Sequence, residues 1–371
     1  MTVAVVLVTA VGLIIAVASL RCVFCVGHDG CSSSYSLPTD YLGFSYEVLM
    51  WPPGGQDDSE ASFSVVASSS SSSSSLTDVS VRFPPESDDC LIVFGAVRLD
   101  CGQTVDFTLL SGEVATFTST TTDLSGTLIE ASMPVAVYAN NSRVMIGWSN
   151  VSDSTSEQMF PVSAWGRQFA VAPIRDNSQS GYSLRVTCGT AVNVSVNIAG
   201  VVHQLMSQRP LTVGFPDNRP AYVSVVDDSE SAVQLVQFVR GATVAADSGA
   251  PAALVVPAVE RFSHVYDLVT GDGYTEYVSI VTRRADISGL RLNGQPLGVS
   301  ALPWLNVDSG SDWVTAAVQL PASRSSKLEN TGQRQFGAYH YGYDHGRCAF
   351  AHTAGASLPI QVIYSSSHCQ L

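Results

Sequence analysis

The pattern that most restricts this chain is a two-residue alternation of apolar and polar side chains, which returns in short stretches along its length. FSVVAS from Phe63, VSVRF from Val79, LIVFGAV from Leu91, PVAVYANN from Pro134, QFAVAPI from Gln168 and YSLRVTC from Tyr182 all carry it. So do NVSVNI from Asn193, YVSVV from Tyr222, VQLVQFV from Val233, YVSIVT from Tyr277, WVTAAVQL from Trp313 and FGAYHYGY from Phe336. Residues i and i+2 share a face in an extended strand, and one such face can be buried while the other is not. β-branched and aromatic residues fill these stretches, and Gly, Pro, Asp, Asn or Ser separates them. No long stretch shows helical spacing, so the chain is expected to be all-β.

Charge removes some partners. Among 371 residues, 18 are basic and 32 acidic, a net charge of -14, and Lys327 is the only lysine. Phosphate backbones are bound largely through Lys and Arg, so nucleic acid is not an expected partner, nor is an anionic membrane surface. With 46% hydrophobic and 13% charged residues, the composition belongs to a folded globular chain rather than a disordered one.

Thr2 to Leu20 is almost unbroken apolar sequence, and Ala16-Val17-Ala18 offers the small residues favoured before a signal-peptidase cut. Residues 1–19 therefore read as a signal peptide in preference to a membrane anchor, and the chain as secreted, with no membrane span left after cleavage. Three sequons begin at Asn140, Asn150 and Asn193, each able to take an N-glycan in the secretory lumen.

Eight cysteines, Cys22, Cys25, Cys31, Cys90, Cys101, Cys188, Cys348 and Cys369, form an even set that an oxidising compartment would pair. Cys90 and Cys101 are the best local candidates, because CLIVFGAVRLDC can fold back at Gly95. Cys22, Cys25, His28 and Cys31 have the spacing of a zinc knuckle, but in an exported chain disulfides are the stronger reading, and no metal or other cofactor is expected. Ser68 to Ser75 is a serine tract between two strands, read as a hairpin tip too polar to offset its ordering entropy.

The chain echoes itself. FPVSAWGRQFAVAPI at Phe160 resembles VPAVERFSHVYDLVT at Val256, and each precedes a Tyr-led strand. PVAVYANN from Pro134, SAVQLVQF from Ser231 and QFGAYHYG from Gln335 also correspond. The expectation is three tandem units of roughly 95 residues, a length that suits a seven-strand sandwich or two propeller blades. Tyr182 and Tyr222 begin similar strands within the second unit, a hint of half-repeats and so of a ring of blades. In this reading Trp165-Gly166-Arg167 is punctuation: Trp165 packs between the first two units, Gly166 makes a turn and Arg167 is exposed.

Asp123-Leu-Ser-Gly-Thr-Leu-Ile-Glu-Ala-Ser-Met-Pro-Val-Ala-Val-Tyr-Ala-Asn-Asn, EQMFPVSAWGRQFAVAPI, LVVPAVERF and YVSIV, in that order, resemble the N-terminal domain family of IgGFc-binding protein. The resemblance runs from about Ser62 to Gly346. It implies a secreted or cell-surface binding module, associated with mucus or matrix and often joined to von Willebrand type D domains. The family's mammalian namesake is associated with the Fc part of immunoglobulin G. Residues 20–40 then form a Cys-rich segment, 41–350 the module, and 351–371 a C-terminal segment.

The rival class is an extracellular propeller-type hydrolase acting on glycans. Acids at Asp57-Asp58, Asp88-Asp89, Asp227-Asp228, Glu230, Asp308 and Asp312 could supply a carboxylate pair, but they read as turn residues. His340-Tyr-Gly-Tyr-Asp344-His345 looks metal-like, yet a strand would turn His345 away from His340 and Asp344. No catalytic residue is assigned. The expectation is a non-enzymatic module that binds an extracellular protein or glycan in adhesion, mucus or host defence.

Overall fold

In the computed structural model, residues 36–358 are described apart from 55–58, 69–75, 86–89, 148–150, 175–180, 191–193, 227–229, 242–248, 272, 323 and 344–348; the backbone is also described over Val3–Thr9, Gly12–Val17, Arg21–Val26 and Gly30–Tyr35. Seven residues of the serine tract, 69–75, lie outside the described residues. Strands dominate, and the helical pieces are short 3₁₀ turns. The protein is all-β.

Three antiparallel units follow one another, the second and third each a pair of sheets and the first a single sheet whose two layers share one strand. In the second unit, eight strands run in order: Gln168–Val171, Tyr182–Thr187, Val194–Ile198, Val201–Leu205, Leu211–Phe215, Ala221–Val225, Gln234–Val239 and Ala252–Val256. Ranked along the chain, first–sixth–third–fourth are neighbours in one sheet and fifth–second–seventh–eighth in the other. The third unit repeats this path with Val265–Val269, Thr275–Arg283, Leu290–Leu292, Gln295–Pro296, Trp313–Gln319, Ser325–Asn330, Gly337–Tyr343 and Ala349–Thr353, adding a short strand Leu305–Asn306 beside the fifth. The first follows it with Gly43–Glu47, Ala61–Ala67, Leu76–Arg82, Thr104–Leu110, Val114–Ser119, Leu128–Val144 and Asp153–Gln158. Here the sixth and seventh ranks are one strand of 17 residues. Its start pairs with Gly43–Glu47 and Leu76–Arg82, its end with Ala61–Ala67 and Asp153–Gln158. The register breaks near Pro134, which has no N–H for a ladder. One strand thus joins both layers, and the sheet curls like half a barrel.

These are two-layer sandwiches, not propeller blades. A blade is a single sheet, whereas here consecutive strands cross between two sheets whose apolar faces share a core. In the second sandwich Leu184, Val186 and Leu235 meet Val194, Val196 and Val223; in the third, Val278, Ile280 and Ala338 meet Tyr266, Leu290 and Leu328. In the first, Phe63 stacks on Phe117 with ring centres 4.9 Å apart, against Val79, Val81 and Ile129. Each such side chain contributes about 1.5–3 kcal/mol by leaving water. Tyr182 and Tyr222 lie in different sheets of one sandwich, so their likeness is that of any two alternating strands and marks no half-repeat.

A 3₁₀ turn leads into each sandwich: Thr39–Tyr41, Val162–Ala164 and Val259–Arg261. Each ends on a buried Leu42, Trp165 or Phe262. The turns stack. A Cβ on Gly43 would lie 2.3 Å from Cβ of Pro161, and one on Gly166 would lie 2.2 Å from Cβ of Ala258, so successive turns touch through equivalent positions. Gly166 is required by this close approach and not, as expected from sequence, by a turn conformation; its φ lies outside the left-handed region. In the first and third sandwiches a tyrosine ties the turn down. Gly43 N–H donates to the Tyr46 hydroxyl (2.8 Å), which donates to Val135 O (2.6 Å); Ser263, Tyr266 and Phe336 repeat this at 2.9 and 2.5 Å. In the second sandwich Phe169 has no hydroxyl, and Gly166 bonds Val233 backbone to backbone.

The three last strands, Asp153–Gln158, Ala252–Val256 and Ala349–Thr353, meet one another where the sandwiches converge. Val255 N–H donates to Glu157 Oε2 (3.3 Å) and Ala349 N–H to Asp153 Oδ2 (3.1 Å).

Candidate functional site

Cys90 and Cys101 are disulfide-bonded, with Cα atoms 5.7 Å apart. The bond closes the hairpin Ile92–Phe94/Val97–Leu99, which turns at Gly95 with φ +60°. Val93 and Phe94 pair with Thr118 and Phe117, so the hairpin covers the outer edge of the first sandwich's fifth strand. Asn140 lies in the middle of a strand paired on both sides; it is half-buried, and its Oδ1 accepts from Ser156 Oγ at 2.6 Å. Asn150 and Asn193 lie outside the described residues, as do Cys348, Cys369, Asp344, His345 and the acids 57–58, 88–89 and 227–228.

The metal-like string resolves differently from its appearance. His340 is buried in the third core, where its Nε2 meets Glu276 Oε2 at 2.6 Å and its ring faces Phe350 and His352. Glu276 Oε1 accepts from Gly271 N–H. The histidine is locked between neighbouring strands. Among the described residues no group of three or more His, Cys, Asp and Glu is placed to hold a metal, and no helix is long and apolar enough to cross a membrane.

Arg167 departs from the exposed turn residue that its neighbours suggest. It is half-buried, its Nη1 donates to Ser231 O (3.1 Å), and its N–H donates to Glu260 Oε1 (3.3 Å). Trp165 is where the echo placed it: its indole N–H donates to Phe160 O, and it sits in the first sandwich's core with its ring edge under Gly189 of the second.

A strongly polar interior region that the sequence hides is the seam between the first and second sandwiches. Arg185, only 5% exposed, donates to Asp123 Oδ2 (2.7 Å), to Ser125 Oγ (2.9 Å) and to Met50 O. Thr187 Oγ1 donates to Glu47 Oε1 (2.6 Å), and Gln234 Nε2 to Glu47 O (3.1 Å). Burial pushes the Glu47 carboxyl up to about 7, and the Cys188 thiol up to about 11 with Glu47 adding to it. Glu157 is also held well above the usual carboxylate range by burial. The alternation of Tyr182–Thr187 marks Arg185 and Thr187 only as one polar face; nothing local says that this face is covered by another sandwich.

Two surfaces face solvent with distinct chemistry. On the first sandwich, a groove of about 510 Å³ runs across three strands and is lined by Val79, Phe107 and Ala131 together with Asp78, Asp106 and Glu130. On the second, the edge strand Leu211–Phe215 lies beside Arg240, whose guanidinium sits over Gly214.

Comparison with known proteins follows this architecture. The chain is 28% identical over 284 residues to the human (Homo sapiens) IgGFc-binding protein, a stretch that covers 76% of this chain and 5% of the human protein. The family model described as IgGFc binding protein matches residues 32–342, from just before the first turn into the last sheet of the third sandwich. The chain belongs to the IgGFc-binding protein family.

Proposed function

We propose that the chain is a secreted, non-enzymatic binding module that holds an extracellular protein or glycan, with a role in mucus, matrix or host defence. The family match over residues 32–342 carries this reading. The interior polar groups support it. Glu47, Glu157, Arg185 and the His340–Glu276 pair hydrogen-bond to other parts of the fold, and ligand contact falls to the sheet faces and edges that remain exposed. Immunoglobulin Fc is the first protein to try, because the human relative carries it in its name. Export brings glycans at the sequons, Asn140 being the least available because Ser156 holds its side chain inside a paired strand.

The test is capture. The recombinant mature chain, immobilised, is exposed to extracellular fluid and to purified Fc, and the retained material is identified. In parallel the chain is incubated with sugar and ester substrates. Specific retention with no turnover supports the binder; turnover by the wild-type chain supports a hydrolase and overturns it. Mass loss on deglycosylation of secreted protein, with an N-terminus near Leu20, tests export.

A further inference from the structure

The outer edge of the fifth strand differs among the three sandwiches. In the first, the disulfide-closed hairpin adds Val93 and Phe94 to it; in the third, Leu305 and Asn306 pair with Thr315 and Val314. In the second, among the described residues, nothing pairs with the outer side of Leu211–Phe215. Thr212 and Gly214 are exposed there. An edge that takes an added strand in the first and third sandwiches is open, among the described residues, in the second, and an open edge offers a row of unsatisfied N–H and C=O groups.

The two faces of this edge specify what fits. Leu211 and Val213 are half-buried and pack against the core, so a strand laid alongside would put apolar side chains on that face. On the other face, a Cβ on Gly214 would lie 2.7 Å from Arg240 Nη2. Arg240 donates weakly to Ser183 Oγ (3.4 Å), its buried Nε has no partner, and among the described residues no carboxylate pairs with it. A carboxylate on the added strand would meet this guanidinium in a charge-assisted hydrogen bond. Pro210 and Pro216 bracket the strand and, lacking N–H donors, confine pairing to about five residues.

We propose that Leu211–Phe215 is a docking edge for an extended segment of a protein partner whose side chains alternate apolar and acidic, bound by strand addition. This rests on the binding reading above and names its surface. The probe is a synthetic peptide alternating valine and glutamate, followed by fluorescence anisotropy and by amide hydrogen exchange of the full chain. Saturable binding with protection of amides within Leu211–Phe215 is expected. Methylating alternate peptide nitrogens should abolish it, and replacing glutamate by lysine should weaken it by about tenfold or more. Arg240→Met should weaken the valine–glutamate peptide to a similar degree; should that variant misfold, the two altered peptides still decide. Binding indifferent to methylation, protection elsewhere, or no saturable binding overturns the proposal. A chain that captures an extracellular ligand, yet whose edge amides stay unprotected in that complex, keeps the binding function and loses this site.

Discussion

The seam between the first and second sandwiches and the seam between the second and third are built by the same topological contact and by opposite chemistry. In both, the outer face of the later sandwich's second and seventh strands lies on the end of the earlier sandwich's opening strand and the residues just after it, joined at the first seam by the loop at Asp123 and Ser125. At the first seam that face brings Arg185, Thr187 and Gln234 onto Glu47, Met50 and Asp123. At the second it brings Tyr339 and Ser279 onto Ala170 and Pro173 through single hydrogen bonds of 2.9 and 3.3 Å. Around these bonds the contact is largely apolar, and Phe262, Trp313, Tyr339 and Tyr341 belong to one core with Phe169, Ala170 and Ala172. Geometry is thus carried by the stacked turns, and chemistry is free to vary. The first seam should answer to pH, the second to volume.

The largest break is expected at the apolar seam. Tyr339 is fully buried, and its hydroxyl donates to Ala170 O. Tyr339→Ala leaves a cavity and an unbonded carbonyl, a loss of about 3–5 kcal/mol. Urea titration should show roughly the same loss at about pH 5 and about pH 8, because no group titrating in that range is removed. A loss that changes strongly with pH would mean that the two seams are not separable.

The polar seam should show the converse. Glu47 has its carboxyl raised from 4.5 to about 7 in the folded chain, so the folded state keeps a proton that the unfolded state has released. Stability from this group is therefore fully present below pH 4.5, falls as pH rises to about 7, and is level above. The fall is on the order of 3 kcal/mol. Glu47→Gln, which cannot ionise, should remove it, so that the variant gains on wild type across that window. Parallel wild-type and variant curves would show that Glu47 titrates normally.

Arg185 gives a smaller effect at the same seam. Asp123 is 34% exposed on its side chain, so water and salt screen the ion pair. The bonds to Ser125 Oγ and Met50 O lie in the buried part of the seam. Arg185→Met should cost about 2 kcal/mol, the scale of a hydrogen bond to a charged donor. Because the neutral acceptors dominate, most of that loss should survive in molar salt; a loss that vanishes there would put the weight on Asp123 after all.

The difference in chemistry is also what separates the legible from the illegible in this sequence. Period two reports strands directly, and PVAVYANN, SAVQLVQF and QFGAYHYG all fall on the seventh-rank strand of their sandwich. The Cys90–Cys101 bond was readable because its partners are 11 residues apart around Gly95. Arg185 and Asp123 are 62 residues apart, and Thr187 and Glu47 140. Alternation tells which side chains share a face but not which face another sandwich will cover, so these read as solvent-facing polar residues. His340 misled for a related reason: its partner Glu276 lies 64 residues away, while the neighbours that made it look like a metal ligand are merely adjacent in sequence.

Arg167 stands between the two seams and supplies the finest test of how they differ. Its guanidinium is tied to Ser231 O within the second sandwich, while its backbone N–H reaches Glu260 in the third turn. Only the first of these bonds needs the side chain. Arg167→Ala should therefore remove the partly buried hydrogen bond to Ser231 O and cost about 1 kcal/mol, while the backbone bond to Glu260 stays. Its effect should be additive with Tyr339→Ala, since Arg167 bonds Ser231 O and Tyr339 bonds Ala170 O. A double-mutant cycle by urea titration measures this. Additivity within about 0.5 kcal/mol means that Arg167 serves only its own sandwich. A larger coupling means that the turn transmits strain into the apolar seam, and the turns, rather than the strand faces, would then set how firmly the second and third sandwiches hold together.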